Sequence, residues 1–274
     1  MFSYIDDRIH ELLTESGKIR SVGGPGERNL SLLGPVPLPV REPDGGAGGR
    51  TLRWYPFVRR TELQAVRRIS RKLQRGASRD LVPLVSSFMC VSSLLLHGDF
   101  EQRDRPLIRL HSCCMTGDVF GSARCDCGPQ LRAAYARIFA EGAGAVVYLA
   151  SHEGRGIGLW AKAVTYILQD MGQDTYQANE SLGLPRDSRD FTDAALVLGA
   201  FLRPGTAVRL LSNNPLKQEH LERGGVQVAE RLPLVAGVGA HNARYLQAKR
   251  AHGHDFGAHG AALLDAAASP GDGR

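Results

Sequence analysis

Three cysteines, Cys114, Cys125 and Cys127, constrain the fold of this chain more than any other feature. They have C-x10-C-x-C spacing within the stretch RLHSCCMTGDVFGSARCDCGPQL at 109–131. A glycine follows the last of them, so a tight turn can direct two sulfurs to one point, while Cys114 arrives from the end of a strand. Three thiolates with an open fourth position are typical of a catalytic zinc site. The alternative is a structural site closed by a fourth cysteine or a histidine.

The adjacent Cys113 is not expected to bind the same metal. Neighbouring side chains on an extended strand point to opposite faces, so Cys113 and Cys114 diverge. A disulfide between Cys125 and Cys127 would close a strained ring. The first residues, MFSYIDDRIHELLTESG, are too acidic for a signal peptide, so we expect a cytoplasmic location. There, clustered cysteines indicate metal ligands or redox groups rather than disulfides.

The composition indicates a globular protein with an excess of basic residues, which could attract an anionic partner. The chain has 274 residues, 43% of them hydrophobic, which allows one large domain or one domain with an appendage. It contains no run of 18 apolar residues, so we expect no membrane partner. Residues 57–79 carry eight Lys/Arg and one acid, within a net charge of +6. Such a segment could attract nucleic acid, a membrane surface or a nucleotide, or could simply be a solvated helix face.

The region before residue 85 has a different pattern from the rest. Residues 4–16 favour a short helix, and residues 21–50 are rich in Gly and Pro, which predicts a loop or linker. The spacing of Leu63, Val66, Ile69 and Leu73 predicts an amphipathic, basic helix at 59–75. The predicted organisation is an N-terminal extension at 1–84, a catalytic domain at 85–254 and a flexible Ala/Gly-rich tail at 255–274.

An alternation of strands and helices follows, typical of an α/β fold. Strands are predicted at 85–100, 106–112, 145–150, 207–212 and 226–234, and helices at 129–142, 156–172, 191–202 and 214–225. The second of these helices has an apolar face, which consists of Ile157, Trp160, Ala161, Val164, Ile167 and Leu168.

The stretch SHEGRGIGLWAK, at 151–162, combines a predicted strand end, three glycines and the start of a helix. Backbone N–H groups and a helix N-terminus can bind an anion there, and Arg155 adds a bidentate donor. A glycine-rich turn alone is weak evidence, but Glu153 and Arg155 inside the turn favour an anion site over an ordinary turn.

Two further stretches carry polar residues beside predicted buried elements. In LGLPRDSRDFTD, at 182–193, Asp187 and Arg189 could be ordinary capping and surface charges, which composition alone favours. In LLSNNPLK, at 210–217, Ser212 and Lys217 follow a buried strand, where α/β proteins bind ligands. An ordinary Asn-rich turn is the alternative.

These motifs together resemble the GTP cyclohydrolase II family, from about residue 94 to 254. The cysteine block and HEGRGIGL are the most specific, and YLQAKRAHGHDF fits the end of the family. The resemblance implies a mixed sheet with flanking helices and an additional N-terminal segment. It also implies a zinc-dependent hydrolase that opens the imidazole ring of GTP and releases formate and pyrophosphate. The product would be 2,5-diamino-6-(5-phosphoribosylamino)pyrimidin-4(3H)-one, the starting compound of riboflavin synthesis.

The resemblance also implies a role for each matching residue. The three spaced cysteines would hold one Zn²⁺ per chain, and Mg²⁺ would accompany the triphosphate. Asp187 matches a general base, Arg189 matches a nucleophile toward the α-phosphorus, and Tyr166 matches a tyrosine close to the reacting ring. A guanidinium stays protonated near neutral pH, so we expect Arg189 to be a phosphate ligand rather than a nucleophile. The positions that match substrate contacts are Arg109, His111, Ser112, Cys113, Gln130, Glu153, Gly154, Arg155, Thr175, Ser212 and Lys217.

Some positions depart from the family and leave alternatives open. Cys113 stands where the family usually has glutamate, and Ser212 where it usually has threonine. These changes, with the unaligned N-terminal region, suggest a diverged paralogue. One alternative is an enzyme that stops at the formylated pyrimidine or uses another purine nucleotide in a specialised pathway. Another is a non-catalytic, zinc-stabilised module that binds nucleotide or nucleic acid. We expect GTP as partner and a homodimer, and no nucleic acid.

Overall fold

A mixed sheet organises the part of the chain that the structure describes. The computed structural model describes residues 11, 13–23, 29–43, 48–62, 64–65 and 90–268. The strands pair in the order β1-β2-β4-β5-β7-β6-β8-β9, and β3 pairs with β4 outside this path. The strands are β1 Ile19–Gly23, β2 Asn29–Leu33, β3 Val36–Arg41, β4 Gly49–Arg59, β5 Ser92–His97, β6 Leu107–Ser112, β7 Gly144–Leu149, β8 Val208–Leu211 and β9 Val228–Leu232.

The sheet changes direction at β7. The strands from β1 to β7 along the order pair antiparallel, whereas β7, β6, β8 and β9 pair parallel. The helices that accompany them are α1 Met115–Asp118, α2 Cys127–Ala140, α3 Gly158–Asp170, α4 Gln177–Ser181, α5 Thr192–Gly199, α6 Pro215–Arg223, α7 Ala243–Ala251 and α8 Gly257–Ala268. The predicted α/β class with a mixed sheet and flanking helices is therefore confirmed.

Both faces of the central strands are buried. Leu94 and Leu96 of β5 belong to one apolar cluster, and Leu95 between them belongs to another. Because successive strand residues point to opposite faces, the two clusters lie on opposite sides of the sheet. Helix α5 packs into the first cluster and α2 into the second. This explains why the central strands are near-continuous apolar runs.

The predicted loop at 21–50 is wrong for its described residues. They contain the end of β1, all of β2 and β3, and the start of β4. Pro37 and Pro39, which favoured a loop, lie exposed on β3, which pairs only with β4. Proline lacks a donor N–H, and an edge strand tolerates that loss because one side of the strand needs no partner.

Strand β4 joins these N-terminal strands to the rest of the sheet. It pairs antiparallel with β5 from Arg53↔Leu96 to Phe57↔Ser92. The predicted boundary at 84/85 and most of the predicted basic helix at 59–75 lie outside the described residues. Residue 59 ends β4, and residues 60–62 and 64–65 are helical. Of the predicted helix at 4–16, residues 11 and 13–16 are described; residues 11 and 13–15 are helical, and residue 16 lies in a turn.

The predicted flexible tail is a helix over most of its length. Helix α8 covers Gly257–Ala268, and Leu264 is fully buried. It packs with Leu246 of α7 and with Phe256. Alanine is the best helix former, so the composition that suggested a frayed tail also suits a helix once one apolar side chain is buried.

None of the six residues of the apolar face predicted for helix α3 is fully buried: two are exposed and four are half-buried. Trp160 is 86% exposed and Ile167 61%, whereas the buried residues of the helix are Lys162 and Thr165. The helix turns its polar side to the interior because that side lines a pocket, which is described below. Within the described residues, no helix has both the length and the apolarity needed to span a membrane.

Candidate active site

A polar pocket lies at the carboxyl ends of the central parallel strands. Ser112 ends β6, the turn at 150–156 follows β7, and Ser212 follows β8. In open α/β sheets this edge is where ligands bind. The pocket contains most of the predicted site residues, which are Arg109, His111, Ser112, Cys113, Cys114, Cys125, Cys127, Gln130, Gly154, Arg155, Tyr166, Thr175, Arg189, Ser212 and Lys217.

The three spaced cysteines meet at one side of this pocket. Their sulfurs lie within 4.8 Å of one another, and those of Cys114 and Cys125 are 3.6 Å apart. Hydrogen bonds from the other two thiols hold the pKa of Cys114 well below its ordinary value. The thiol of Cys125 is one of these donors, and its hydrogen bond to Cys114 raises the pKa of Cys125 to about 11. Among the described residues, this is the group of side chains that could hold a metal.

The local backbone brings these sulfurs together. Cys114 caps α1 and Cys127 begins α2, with Gly117 between them in space. A Cβ on Gly117 would lie 2.7 Å from the sulfur of Cys125, so only glycine allows this approach. Three soft sulfur donors at this spacing fit zinc, and they leave a fourth tetrahedral position for another ligand.

Cys113 lies apart from this cluster. Its sulfur is 3.7 Å from an oxygen of Glu153, and burial raises its pKa to about 11. The thiol therefore stays neutral near pH 7. Its separation from the other sulfurs agrees with strand alternation.

The predicted anion turn has a strained, glycine-dependent backbone. Gly154, Arg155 and Gly156 have φ values of 59°, 62° and 92°. Arg155 is the non-glycine residue with positive φ in the described chain. A left-handed conformation at such a residue is costly and is found at functional turns. Its guanidinium donates to the hydroxyl of Thr175 at 2.6 Å and lies 4.0 Å from the centre of the Tyr176 ring.

Apart from the cysteine cluster, the charged side chains that line the pocket are cations. Four of them, predicted from separate segments to converge, do so: Arg109, Arg155, Arg189 and Lys217. Three more were not predicted: Arg124, Lys162 and Lys249. As far as the described residues show, no aspartate or glutamate contributes to the lining. A pocket of this kind attracts a polyanion.

Two of these cations are held rigidly by backbone carbonyls. Arg109 donates to Leu211 O at 2.9 Å and to Gln130 Oε1 at 2.6 Å, while its Nε is buried without a partner. Lys217 donates to Leu110 O at 2.7 Å. Burial, and then the charges of Arg109 and Arg189, lower the pKa of Lys217 well below its ordinary value. An anionic ligand would relieve this repulsion.

Asp187 and Glu153 lie beside the pocket rather than in its lining. Asp187 forms a two-pronged ion pair with Arg189, with N–O distances of 2.8 and 2.5 Å. Burial opposes both charges, but this pairing outweighs it, so the pKa of Asp187 is lowered and that of Arg189 is raised. Arg189 therefore keeps its proton and approaches the hydroxyl of Ser112 at 3.4 Å.

Tyr166 faces the pocket from helix α3. Its hydroxyl is 2.9 Å from that of Thr116, and the guanidinium of Arg124 is 4.9 Å from the centre of its ring. Burial raises its pKa, so the phenol is neutral. His111 is held by Asp118 at 3.0 Å, and the same carboxylate accepts the N–H of Cys114. These bonds fix the end of β6 where the metal-binding segment begins.

Sequence reasoning missed several residues that the fold brings to this pocket. Lys162 was visible as a lone lysine in an otherwise apolar helix, which is a usable signal. Tyr245, Lys249 and His254 come from α7 and the turn after it; they lie in YLQAKRAHGHDF, which marks only the end of the family resemblance. The remaining unpredicted lining residues are Arg124, His152, Thr165, Gln169, Asn179, Asn213 and Asn214.

The fold and the site define an α/β protein with a cationic pocket beside three cysteines that could hold a metal, and sequence comparisons identify its family. The family model described as GTP cyclohydrolase II matches residues 91–233, just over half of the chain. The chain belongs to this family of enzymes.

Three relatives, each called riboflavin biosynthesis protein RibBA, match the same region. The chain is 49% identical over 164 residues to that of Nocardia farcinica, covering 59% of this chain and 39% of the relative. It is 51% identical over 162 residues to that of Mycolicibacterium gilvum, covering 58% and 37%. For Mycobacterium tuberculosis the identity is 51% over 161 residues, covering 58% and 37%. The chain thus spans about two fifths of the length of these relatives.

Proposed function

We propose that this protein is a GTP cyclohydrolase II: a zinc-dependent hydrolase that opens the imidazole ring of GTP and releases formate and pyrophosphate. One observation carries the proposal. The three-cysteine cluster opens into a pocket whose other charged lining residues, within the described part of the chain, are arginines and lysines. That combination suits a substrate that has both a ring to hydrolyse and a triphosphate to bind.

The metal and the cations divide the chemistry between them. Cys114, Cys125 and Cys127 would hold Zn²⁺, which when bound acts as a Lewis acid that activates water for attack at carbon 8 of guanine. The triphosphate, with its Mg²⁺, would lie along Arg109, Arg155 and Lys217. Tyr166 would orient the opened ring, because its hydroxyl reaches the pocket beside the metal centre.

The ion pair of Asp187 and Arg189 bears on pyrophosphate release. A guanidinium that keeps its proton has no free lone pair, so Arg189 would offset negative charge at the α-phosphorus rather than attack it. The family role of Asp187 is that of a general base. Its lowered pKa makes it a weak base, and its two hydrogen bonds instead support a role in orienting Arg189.

The extent of reaction and the pathway are part of the same proposal. We propose full conversion to 2,5-diamino-6-(5-phosphoribosylamino)pyrimidin-4(3H)-one in riboflavin synthesis, in the cytoplasm, since the relatives are named riboflavin biosynthesis proteins. The alternative is a partial reaction that stops at the formylated pyrimidine, which Cys113 in place of the family glutamate could cause. Mass spectrometry of the product separates the two.

The deciding experiment follows formate and pyrophosphate together. Zinc-loaded protein incubated with GTP should release both. Cys125→Ser should abolish formate release, while Arg189→Ala should cut pyrophosphate release by about a hundredfold, since loss of a cationic ligand costs on the order of 3 kcal/mol. If zinc-free protein released formate at the wild-type rate, the catalytic-metal role would be wrong.

A homodimer is the partner arrangement that we propose. Most of the large apolar side chains exposed in the described chain cluster on α3 and just after α1, and they are Val119, Phe120, Leu159, Trp160, Ile167 and Met171. Helix α3 and the segment after α1 are neighbours, because Arg124 pairs with Asp170 at 2.8 Å. A second copy could cover this face. Analytical ultracentrifugation should give a dimer that Trp160→Glu dissociates, and a monomeric wild type would contradict it.

A further inference from the structure

Lys162 is a buried cation in direct contact with a metal-binding sulfur. Its Nζ lies 3.1 Å from Cys114 Sγ and 2.7 Å from Glu153 Oε1. Its side chain is 10% exposed. In the described structure, the sulfurs of Cys125 and Cys127 have no such cationic donor. Cys114 is therefore distinguished from the other two sulfurs by an ammonium group.

Both carboxylate oxygens of Glu153 accept hydrogen bonds from protein groups. One oxygen accepts from Lys162 and from the Gly154 N–H at 3.0 Å. The other accepts from the Met115 N–H at 2.6 Å and from the Cys113 thiol at 3.7 Å. Each carboxylate oxygen of Glu153 thus has two protein partners, and Glu153 is not among the residues that line the pocket.

The charges explain why a lysine is buried here. A buried ammonium is costly unless it is paired, and ordering a lysine also costs rotamer freedom. Three thiolates with one divalent cation leave a net negative charge, which a single ammonium offsets. A hydrogen bond to a ligating sulfur also withdraws electron density from it, which leaves the bound metal a stronger Lewis acid. Groups that contact ligands in this way commonly change metal affinity by about 10- to 100-fold.

We propose that Lys162 and Glu153 are positioning residues of the metal centre. Lys162 donates to the sulfur of Cys114, and Glu153 fixes the position of Lys162. Because Glu153 immediately precedes Gly154 and Arg155, the pair also ties the metal centre to the anion turn. The kinetic part of this inference rests on the proposed GTP hydrolysis, whereas the metal-binding part does not.

The metal-binding test compares two buried lysines of the same pocket. Lys162→Met removes the ammonium and keeps the side-chain length; Lys217→Met does the same where no sulfur is in contact. Zinc affinity is measured by competition with a chelator. We expect Lys162→Met to bind zinc at least tenfold more weakly and Lys217→Met to match wild type. In the cobalt-substituted proteins, the sulfur-to-cobalt absorption band should shift for Lys162→Met alone.

The kinetic test uses the same variants with GTP. Lys162→Met should lower kcat with a nearly unchanged KM, whereas Lys217→Met should raise KM. Glu153→Gln should behave as Lys162→Met does, because it loses the anchor of the ammonium. Lys162→Arg should restore part of the zinc affinity, since a guanidinium keeps the charge and the donor.

The outcomes are distinguishable. Zinc affinity and a cobalt band for Lys162→Met within twofold of wild type would overturn the role of Lys162. A large rise in KM for Glu153→Gln, with normal zinc affinity, would show that Glu153 binds the nucleotide rather than positioning Lys162. If the wild type does not consume GTP, the proposed function fails while the metal measurements still decide this inference. If Lys162→Met does not fold, as judged by circular dichroism, Lys162→Arg and Glu153→Gln carry the same metal measurements.

Discussion

His152 shows how burial fixes the protonation of one side chain in this site. Its Nε2 lies 3.2 Å from the carbonyl of Asp190, which can only accept, so Nε2 carries the proton. Its Nδ1 must then accept from the hydroxyl of Ser112 at 3.2 Å. Burial, and then the charges of Arg189 and Lys217, lower the pKa of His152 to about 4.

This lowered pKa predicts a loss of stability in mild acid. Between about pH 6.5, the ordinary value, and pH 4, the unfolded state binds a proton at His152 that the folded state does not. The stabilisation is therefore full above pH 6.5 and declines as the pH falls. We expect His152 to account for about 2 kcal/mol of the drop in unfolding free energy between pH 7 and pH 5. Urea unfolding of wild type and His152→Gln at both pH values measures it, and an equal drop in both proteins would contradict it.

For single residues, the sequence predicts those that stand in short local motifs. The three cysteines and Arg155 stand in short motifs, and the fold places them in one pocket. The motif places Glu153 in the anion turn, and the structure adds that its carboxylate pairs with Lys162 of helix α3. Only the path of the backbone decides that contact, so spacing could not reveal it.

The amino-acid composition of helix α8 does not reveal its role in the fold. Its one fully buried side chain, Leu264, packs near α7, which carries Tyr245 and Lys249 into the pocket. The Ala/Gly-rich sequence has no strong apolar period, so the docking of this helix depends on few contacts: Leu264 in the apolar cluster and an ion pair of Arg250 with Asp265 at 2.8 Å. Pattern reasoning identified the central helices because their apolar spacing repeats, and missed α8 because its spacing does not.

Two adjacent leucines of α8 provide a matched test. Leu264 is fully buried, and Leu263 is 40% exposed. Leu264→Ala should lower the unfolding free energy by about 2 to 4 kcal/mol, because it removes transfer energy and leaves a cavity. Leu263→Ala should change it by less than about 0.5 kcal/mol. Denaturant unfolding with zinc in excess measures both, and equal small effects would show that α8 does not dock in solution.

For the whole molecule, the sheet is continuous across the region where a domain boundary was predicted. Tyr55 and Phe57 of β4 share a buried cluster with Leu94 and Leu96 of β5. The sequence did not reveal this, because glycines and prolines at an edge strand look the same as those of a linker. Strands β4 and β5 are far apart in the sequence. Their pairing is decided when the whole sheet assembles, and no local sequence pattern specifies it.

The continuity predicts that the catalytic region does not fold well by itself. A fragment of residues 90–268 would expose the edge and the apolar face of β5, so we expect it to aggregate and to melt without a cooperative transition. A fragment of residues 18–268 keeps β1 to β4 and should melt cooperatively. Light scattering and thermal circular dichroism compare them. A monomeric, cooperative 90–268 fragment would support the boundary at 84/85.

Trp160, on the outward side of helix α3, makes the fluorescence of the protein sensitive to what covers that side. The chain has two tryptophans. Trp54 is half-buried and its indole N–H donates to Ser93 Oγ at 3.0 Å, whereas Trp160 is 86% exposed. An indole in water emits at longer wavelength than one against protein, so the Trp54→Phe variant should report on Trp160 alone. As the protein concentration rises, the emission of Trp160 should move to shorter wavelength, and acrylamide should quench it less. An emission that stays the same at all concentrations would mean that this face keeps its contact with water.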